Sequence, residues 1–465
     1  MSMNTNPIIS IIMPCLNSAR YIEEALDSIL GQSFADFELI VVDGGSVDGT
    51  LSILNHYAAS DARIRILHSH MRSAGAQYNI GLTAARGKFV GFVESDDFIT
   101  PDMYGVLHKT ILGSEIDYVK SNFDMFVDLL DQRLFYSHGP IAEHQSDYYD
   151  KILSPQQLCE LLRRDIFIWN GLYKRSFIIE NNIRFQETPG AAFQDAGFIS
   201  QVLMTASRAV YIKDSHYRYR KDNKSASSAS SNTYTFVMDE FAHIMGVLEK
   251  KNDEVRELFL PVLLRRYFGS FHHCLRRYLY RHGATDELIE RVEIFRKSFL
   301  THYSALSFPQ LSRSDLWPPQ DLVLFADDFA RYCKDSLTKY ESEYSAHMQA
   351  AAYLAGCEAL VIYGAGENAS AVYCYLSRCG LQNIKAFCPA GYGEIKGLFH
   401  GLELLPIEQA TKAYPAAIFI ITSSAGNPNM EKQRLLSVGV ALERIIYYGT
   451  GLYHHNWHEL PVPTV

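Results

Sequence analysis

KFVGFVESDDFITPD, residues 88–102, is the stretch whose reading decides how this chain folds. Lys88 to Val93 is a short apolar run with the β-branched and aromatic content of a buried strand, and it breaks at once into Glu94, Ser95, Asp96 and Asp97. Working toward the N-terminus, the same layout recurs. Ile8 to Met13 reads as a buried strand ended by Pro14, and Ile22, Ala25, Leu26, Ile29 and Leu30 then recur at helical spacing until Gly31. Phe37 to Val42 is a second strand running into Asp43, and Ile64 to Leu67 a third. Strands alternating with helices predict an open α/β sheet covered by helices. In such sheets ligands bind in the crevice outside the carboxyl ends of the strands, so Asp43 and the acids at 94–97 are expected to converge on one site.

Toward the C-terminus, residues 100–220 are mixed and rich in aromatics, ending in HYRYRKDNKSASSASSN, residues 216–232. The Ser/Ala stretch 225–232 reads as a linker or mobile loop. Residues 234–350 have helical period, for example Leu260, Leu263, Leu264, Tyr267, Phe268 and Phe271. From Ala359 the alternation returns: ALVIY, GAGENA, a helix to Cys379, and strands near Ile384–Phe387, Ala417–Ile421 and Ile445–Tyr448. The expected organisation is therefore an α/β domain over 1–230, a helical connector over 231–352, and a small Rossmann-like α/β domain over 353–465.

Composition narrows the function classes. The 465 residues are 48% apolar and 20% charged, as in folded soluble proteins, and at roughly 150 residues per domain the length suits about three domains. With 43 basic against 52 acidic residues the net charge is −9, which argues against whole-surface nucleic-acid binding. The eight cysteines show no Cys-x-x-Cys pair or zinc-like spacing, and read as free thiols of a reducing compartment. No apolar run nears the roughly 18 residues of a membrane span, and MSMNTNP lacks the layout of a signal peptide. The expected location is the cytoplasm, with the inner face of the cell membrane as a second expectation.

Three acids within four residues repel one another unless a cation neutralises them. Magnesium or manganese suits oxygen ligands and bridges carboxylates to phosphate oxygens, so the cluster suggests a metal–diphosphate complex. In that context four stretches together resemble the family 2 glycosyltransferases of the GT-A fold. IISIIMPCLNSARYIEEALDSILGQSF is similar to the family's opening strand, turn and first helix, and FELIVVDGGSVDGT to its V-V-D-D-G-S-x-D-G-T, with Gly44 in place of a second Asp. SAGAQYNIGLTAARGKFVGFVESDDFITPDMY is similar to its stretch running from A-R-N to D-x-D, with Gln77 and Tyr78 in place of Ala-Arg. IWNGLYKRSFIIENNIRFQE followed by FQDAGF resembles its W-N-K-L-Y segment and E-D acid pair. The resemblance covers residues 7–220.

The resemblance implies a metal-dependent inverting transferase, with Mn2+ or Mg2+ as cofactor. Its donor is a nucleoside-diphosphate sugar, UDP-linked in first expectation, and its acceptor a glycan or lipid-linked sugar of cell-surface polysaccharide synthesis. It implies that Asp43 contacts the base or ribose, with Pro14 and Asn17 shaping that pocket and Asn79 and Ser95 among the donor-binding residues. Asp96 would be the principal metal ligand, joined by Glu94 and Asp97. Asp195 would be the base that takes the acceptor's proton, with Gln194 replacing the first acid of the pair. Trp169 and Asn170 would line the acceptor side. Arg218, Arg220, Lys221 and Lys224 would form the loop that closes over the diphosphate. A glycan-binding or scaffolding protein on the same fold is the rival reading, motivated by Gly44, Glu94, Gln194 and the missing Arg.

Three features lie outside the matched region. LLRRYFGSFHHCLRRYLYRH, residues 263–282, reads as a basic helix with an apolar core-facing side, which leaves peripheral membrane contact as an expectation. GAGENA has the strand–turn–helix context of a dinucleotide fingerprint, but IKAFCPAG supplies no acid about 20 residues on, which favours a structural or oligomerisation role. HHNWH, residues 454–458, reads as a tail rather than a metal site.

Overall fold

The computed structural model describes residues 6–112, 115–129, 132–141, 143–223, 233–306, 319–364, 367–389, 398–422 and 428–447. The chain forms two compact units, one of residues 1–124, 139–219 and 223–338, the other of 125–138, 220–222 and 339–465. The helical segments up to Thr338 belong to the first unit.

The first unit begins β1 (Ile9–Cys15), α1 (Ile22–Leu30), β2 (Phe37–Asp43), α2 (Thr50–Ser60), β3 (Ile64–His68), α3 (Ala74–Ala84), β4 (Phe89–Phe92), β5 (Phe98–Ile99) and α4 (Met103–Leu112). The chain continues with β6 (Tyr118–Leu129), β7 (Gln132–His138), α5 (Pro155–Leu161), β8 (Gly171–Lys174), α6 (Arg175–Glu180), α7 (Gln194–Thr205) and β9 (Ala209–Arg220), of which 125–138 and Arg220 belong to the second unit. These strands make one nine-stranded sheet in the order β3-β2-β1-β4-β8-β6-β9-β5, with β7 beside β6. The pairs β1–β2, β2–β3 and β1–β4 are parallel, and β4–β8, β6–β8 and β5–β9 antiparallel. Every residue of β1 and β2 is buried, as a strand covered on both faces requires.

Strand β1 does not end at Pro14 but runs through it to Cys15, paired with β2 as far as Cys15–Asp43. Its pairing with β4 ends at Ile12–Phe92, and the Ile12 carbonyl accepts from Val93 on that side. Two residues on, Pro14 faces the same side beyond the last β4 pair, where a missing N–H costs nothing. Helix α1 buries Ile22, Ala25, Leu26 and Ile29 and stops at Gly31, whose N–H donates to the Asp27 carbonyl at 2.9 Å.

The helical segment comprises α8 (Thr233–Leu248), α9 (Asp253–His282), α10 (Asp286–Ser304), α11 (Pro319–Asp327) and α12 (Phe329–Ala355). Helix α8 packs on α7 and α9 on α5, which ties these helices to the sheet domain. On α9, Leu263, Leu264, Tyr267, Phe268 and Phe271 are buried as expected and Leu260 is half-buried, but Arg276 and Arg277 are buried with them. The basic residues of this helix are thus not simply a solvated face. Among the described residues, no helix is long and apolar enough to cross a membrane. None of the eight cysteines forms a disulfide among the described residues.

The second unit carries β10 (Leu360–Tyr363), α13 (Glu367–Arg378), β11 (Ile384–Cys388), β12 (Leu398–Phe399), β13 (Leu402–Leu404), α14 (Ile407–Ala413), β14 (Ile418–Ile421), α15 (Pro428–Ser437) and β15 (Ile445–Tyr447). Its sheet has the order β12-β13-β11-β10-β14-β15 and is parallel except for β12–β13. This is the expected small Rossmann-like layout, with a core of Val361, Tyr363, Phe419, Ile421 and Leu435. Ala365 and Gly366 of GAGENA, the HHNWH run, Lys224 and the stretch 225–232 lie outside the described residues.

The middle of the large sheet is locked by a buried ion pair. Lys120 on β6 meets Asp165 after α5, both fully buried; Asp165 also accepts from the Tyr211 hydroxyl at 2.6 Å, and Tyr211 bonds Tyr118 at 3.1 Å. Removing one partner leaves the other charge buried without compensation. Lys120→Met is therefore expected to lower unfolding free energy by about 3–5 kcal/mol, measured by urea denaturation, whereas an exposed pair such as Lys151–Asp147 is worth under about 1 kcal/mol.

Candidate active site

The acids converge because their strands are neighbours. Asp43 ends β2, and Glu94 to Asp97 follow β4, on either side of β1. Asp43 is 1% exposed and accepts from the backbone N–H groups of Gly45 and Ser46 at 2.9 and 3.1 Å, which shapes the turn after β2. Asn17, at φ 53°, accepts from the Val47 N–H at 2.9 Å and donates its own N–H to Ser46 at 2.8 Å. Ser18 donates its N–H to Thr50 at 2.8 Å, and its hydroxyl meets that of Ser95 at 2.7 Å. The loops after β1, β2 and β4 are thereby stitched into one rim.

Within the acid cluster, carboxylate oxygens of Glu94, Asp96 and Asp97 lie within 4.8 Å of one another. Tyr217 on β9 holds it: its hydroxyl accepts from the Glu94 N–H at 3.0 Å and donates to Asp97 Oδ2 at 2.8 Å. Asn223 donates to Asp96 Oδ2 at 2.7 Å. Burial, then the charges of Asp96 and Asp195, push Glu94 up to about 8. The donor set therefore fits a hard divalent cation, with Asp97 already engaged by Tyr217.

Asp195 lies in the first turn of α7, with Phe193 rather than Asp195 at the N-cap position. Burial raises its proton affinity, against the opposing pull of the Ala196 N–H, Arg266 and Lys120. Its negative charge is among the causes that raise Glu94. Gln194, by contrast, donates to Thr188 Oγ1 at 3.0 Å and its carbonyl at 3.2 Å, and so pins a loop.

Several residues assigned from the sequence have other work. Asn79 uses its amide on the Phe185 backbone and on Glu187, clamping α3 to that segment. Trp169 is 1% exposed and stacked on Tyr217 at 4.0 Å, and Asn170 is buried with its amide donating to the Ser121 carbonyl. Both are buried, and Trp169 meets the acid cluster through Tyr217. The basic stretch read as a loop is strand β9 as far as Arg220. Arg218 pairs with Asp124 at 2.9 Å, and Arg220 with Asp128 at 2.6 Å over the Phe126 ring. The Lys221 N–H donates to the Phe126 carbonyl at 2.8 Å. The signal was present: in HYRYR the aromatic and basic residues alternate with the period of a strand.

The departures from the family pattern also pair in space. A Cβ on Gly44 would lie 2.0 Å from Gln77 Nε2, which donates to the Cys15 carbonyl at 3.2 Å, so Gly44 makes room for Gln77. Tyr78, stacked on Phe185, donates to Glu94 Oε1 at 3.2 Å.

Residues 10–169 match the profile described as Glycosyl transferase family 2. The chain is a glycosyltransferase whose first unit carries a family 2 domain of the GT-A fold. It is 29% identical to the uncharacterized glycosyltransferase YibD of Escherichia coli over 54% of this chain and 72% of that one. To the glycosyltransferase GlyG of Streptococcus pneumoniae it is 27% identical over 60% of this chain and 91% of that one. Crystalline S. aureus TarS 1-349 in complex with UDP-GlcNAc superposes with a TM-score of 0.52 at 19% identity, covering 73% of this chain and 92% of that one, and shares the fold.

Tyr217→Phe tests the clamp. Loss of the hydroxyl leaves Asp97 and the Glu94 N–H without that partner, and stability is expected to fall by about 1–3 kcal/mol by thermal denaturation. A second expectation is that added Mn2+ raises the melting temperature of the wild type more than that of Tyr217→Phe.

Proposed function

We propose that this protein is a metal-dependent, inverting glycosyltransferase using a nucleoside-diphosphate sugar as donor and a hydroxyl of a glycan or lipid-linked sugar as acceptor. The observation that carries this reading is the gathering of Glu94, Asp96 and Asp97 just after β4, with Asp195 in the first turn of α7 near enough to act on Glu94 through its charge. Asp43, Asn17 and Pro14 form the wall on which the nucleoside rests, and UDP-GlcNAc, the ligand of the TarS complex, is the first donor to try. Asp96 and Glu94 would hold Mn2+ or Mg2+, with Asp97 behind them; the ion neutralises the donor diphosphate.

Asp195 carries the proton chemistry. Its carboxylate takes the proton of the acceptor hydroxyl as that oxygen bonds to the anomeric carbon and the bond from that carbon to the diphosphate oxygen breaks. Attack opposite the leaving group inverts the anomeric centre. Burial, which raises the proton affinity of Asp195, makes it a better base than an exposed aspartate. The reaction belongs to cell-surface polysaccharide synthesis at the inner face of the membrane. The three-part division at 230 and 352 is retained as a proposal about how the donor domain is joined to the Rossmann-like one.

The test is a panel of nucleoside-diphosphate sugars with Mn2+, Mg2+ or chelator. Asp96→Ala is expected to lose metal-dependent donor binding. Asp195→Asn is expected to keep binding and lose transfer by about 10²–10⁴-fold. A product of retained anomeric configuration, or full transfer by Asp195→Asn, overturns the mechanism.

A further inference from the structure

Beside Asp195 the chain buries a second carboxyl that none of the roles above uses. Glu240, on α8, is 1% exposed, and it enters where α7 and α8 pack. Its place is made by a glycine: a Cβ on Gly197 would lie 1.9 Å from Glu240 Oε2 and 2.9 Å from its carboxyl carbon. Gly197 follows Asp195 by two residues, so the carboxyl sits against the same turn of α7 that presents Asp195.

The contacts of Glu240 are those of a neutral acid. The Gln186 amide, turned with its nitrogen toward α8, donates to Oε1 at 3.0 Å and to the Asp239 carbonyl at 3.3 Å. Oε2 is buried and has no hydrogen-bond partner among the described residues. A dry carboxylate with one oxygen unsolvated is costly, whereas the protonated form is tolerated. The charged or titratable groups facing it are Asp195 from α7, Asp239 from its own helix and Tyr267 from α9, and none of these is a cation. Burial, then Asp195 and Asp239, push Glu240 up to about 8.

We infer that Glu240, seated in the notch at Gly197, is a positioning residue for Asp195: as a neutral acid it packs the first turn of α7 and leaves the negative charge at this turn to Asp195 alone. This role rests on Asp195 as the base. Where Gln194 is neutral and pins a loop, the helical segment supplies the neighbouring carboxyl from 45 residues further along the chain. Once Glu240 ionises, it repels the Asp195 carboxylate and leaves an unpaired charge between two helices.

The deciding measurement is a 13C carboxyl titration of the full chain labelled at glutamate, with the Glu240 signal assigned by its loss in Glu240→Gln. Glu240 is expected to titrate near 8, and its midpoint to drop by about one unit in Asp195→Asn, where the repelling charge is gone. A Glu240 that titrates in the ordinary carboxylate range, or a midpoint unmoved by Asp195→Asn, overturns the inference. Stability gives an independent arm. A carboxyl raised in the folded state contributes stability at low pH that is lost as pH rises toward its folded value. Glu240→Gln should therefore gain melting temperature relative to wild type between about pH 5 and pH 8, and a constant difference counts against the proposal. In transfer assays Glu240→Ala is expected to lower kcat about tenfold at unchanged donor KM, with rescue by Glu240→Gln near neutral pH. Full transfer by Asp195→Asn would remove the base and leave the titration to judge the coupling by itself.

Discussion

The hydroxyl of Tyr217 is the constraint on which the site depends. Three carboxylates at a strand end repel one another, and the fold must hold them together before any cation arrives. Tyr217 does this from a different strand, accepting from the Glu94 N–H and donating to Asp97. Its ring is fixed by stacking on Trp169, which Phe123 and Phe167 brace at 4.7 and 4.9 Å. Residues that carry no charge thus set where the charged ones stand.

The same logic extends through the sheet. Lys120 and Asp165 are buried with no solvent to screen them, and the tyrosine pair Tyr118–Tyr211 completes the hydrogen bonding that makes the ion pair tolerable. Lys120 and Arg266 are also the cations that pull against the burial of Asp195. The polar core and the electrostatics of Asp195 are thus linked, so a substitution at Lys120 carries over to the proton affinity of Asp195. On the other side, Glu240 brings a buried carboxyl from the helical segment against the first turns of α7.

Much of the site was legible because chain-local features carried it. Apolar runs that end in Asp43 and in Glu94–Asp97 mark strand ends, and strand ends of a parallel sheet are where ligands bind. Less was legible where a residue's partner comes from far along the chain. Asn79 looks like a donor-pocket residue until Phe185 and Glu187 take up its amide. Arg220 looks like a phosphate ligand until Asp128 claims it. Pro14 looks like a strand terminator until the register shows β4 already finished beside it.

By itself the sequence determined the α/β alternation of both sheets, the positions of the acids at strand ends and the helical period of residues 234–350, because period, glycine stops and β-branched runs act over a few neighbours. Only the tertiary structure decided which acids are paired, which are clustered and which are kept neutral. Burial and charge depend on residues 45 to more than 100 positions away, as with Asp195 and Glu240, or Glu94 and Tyr217. Proton affinity is a property of that assembled surrounding, and no local pattern encodes it.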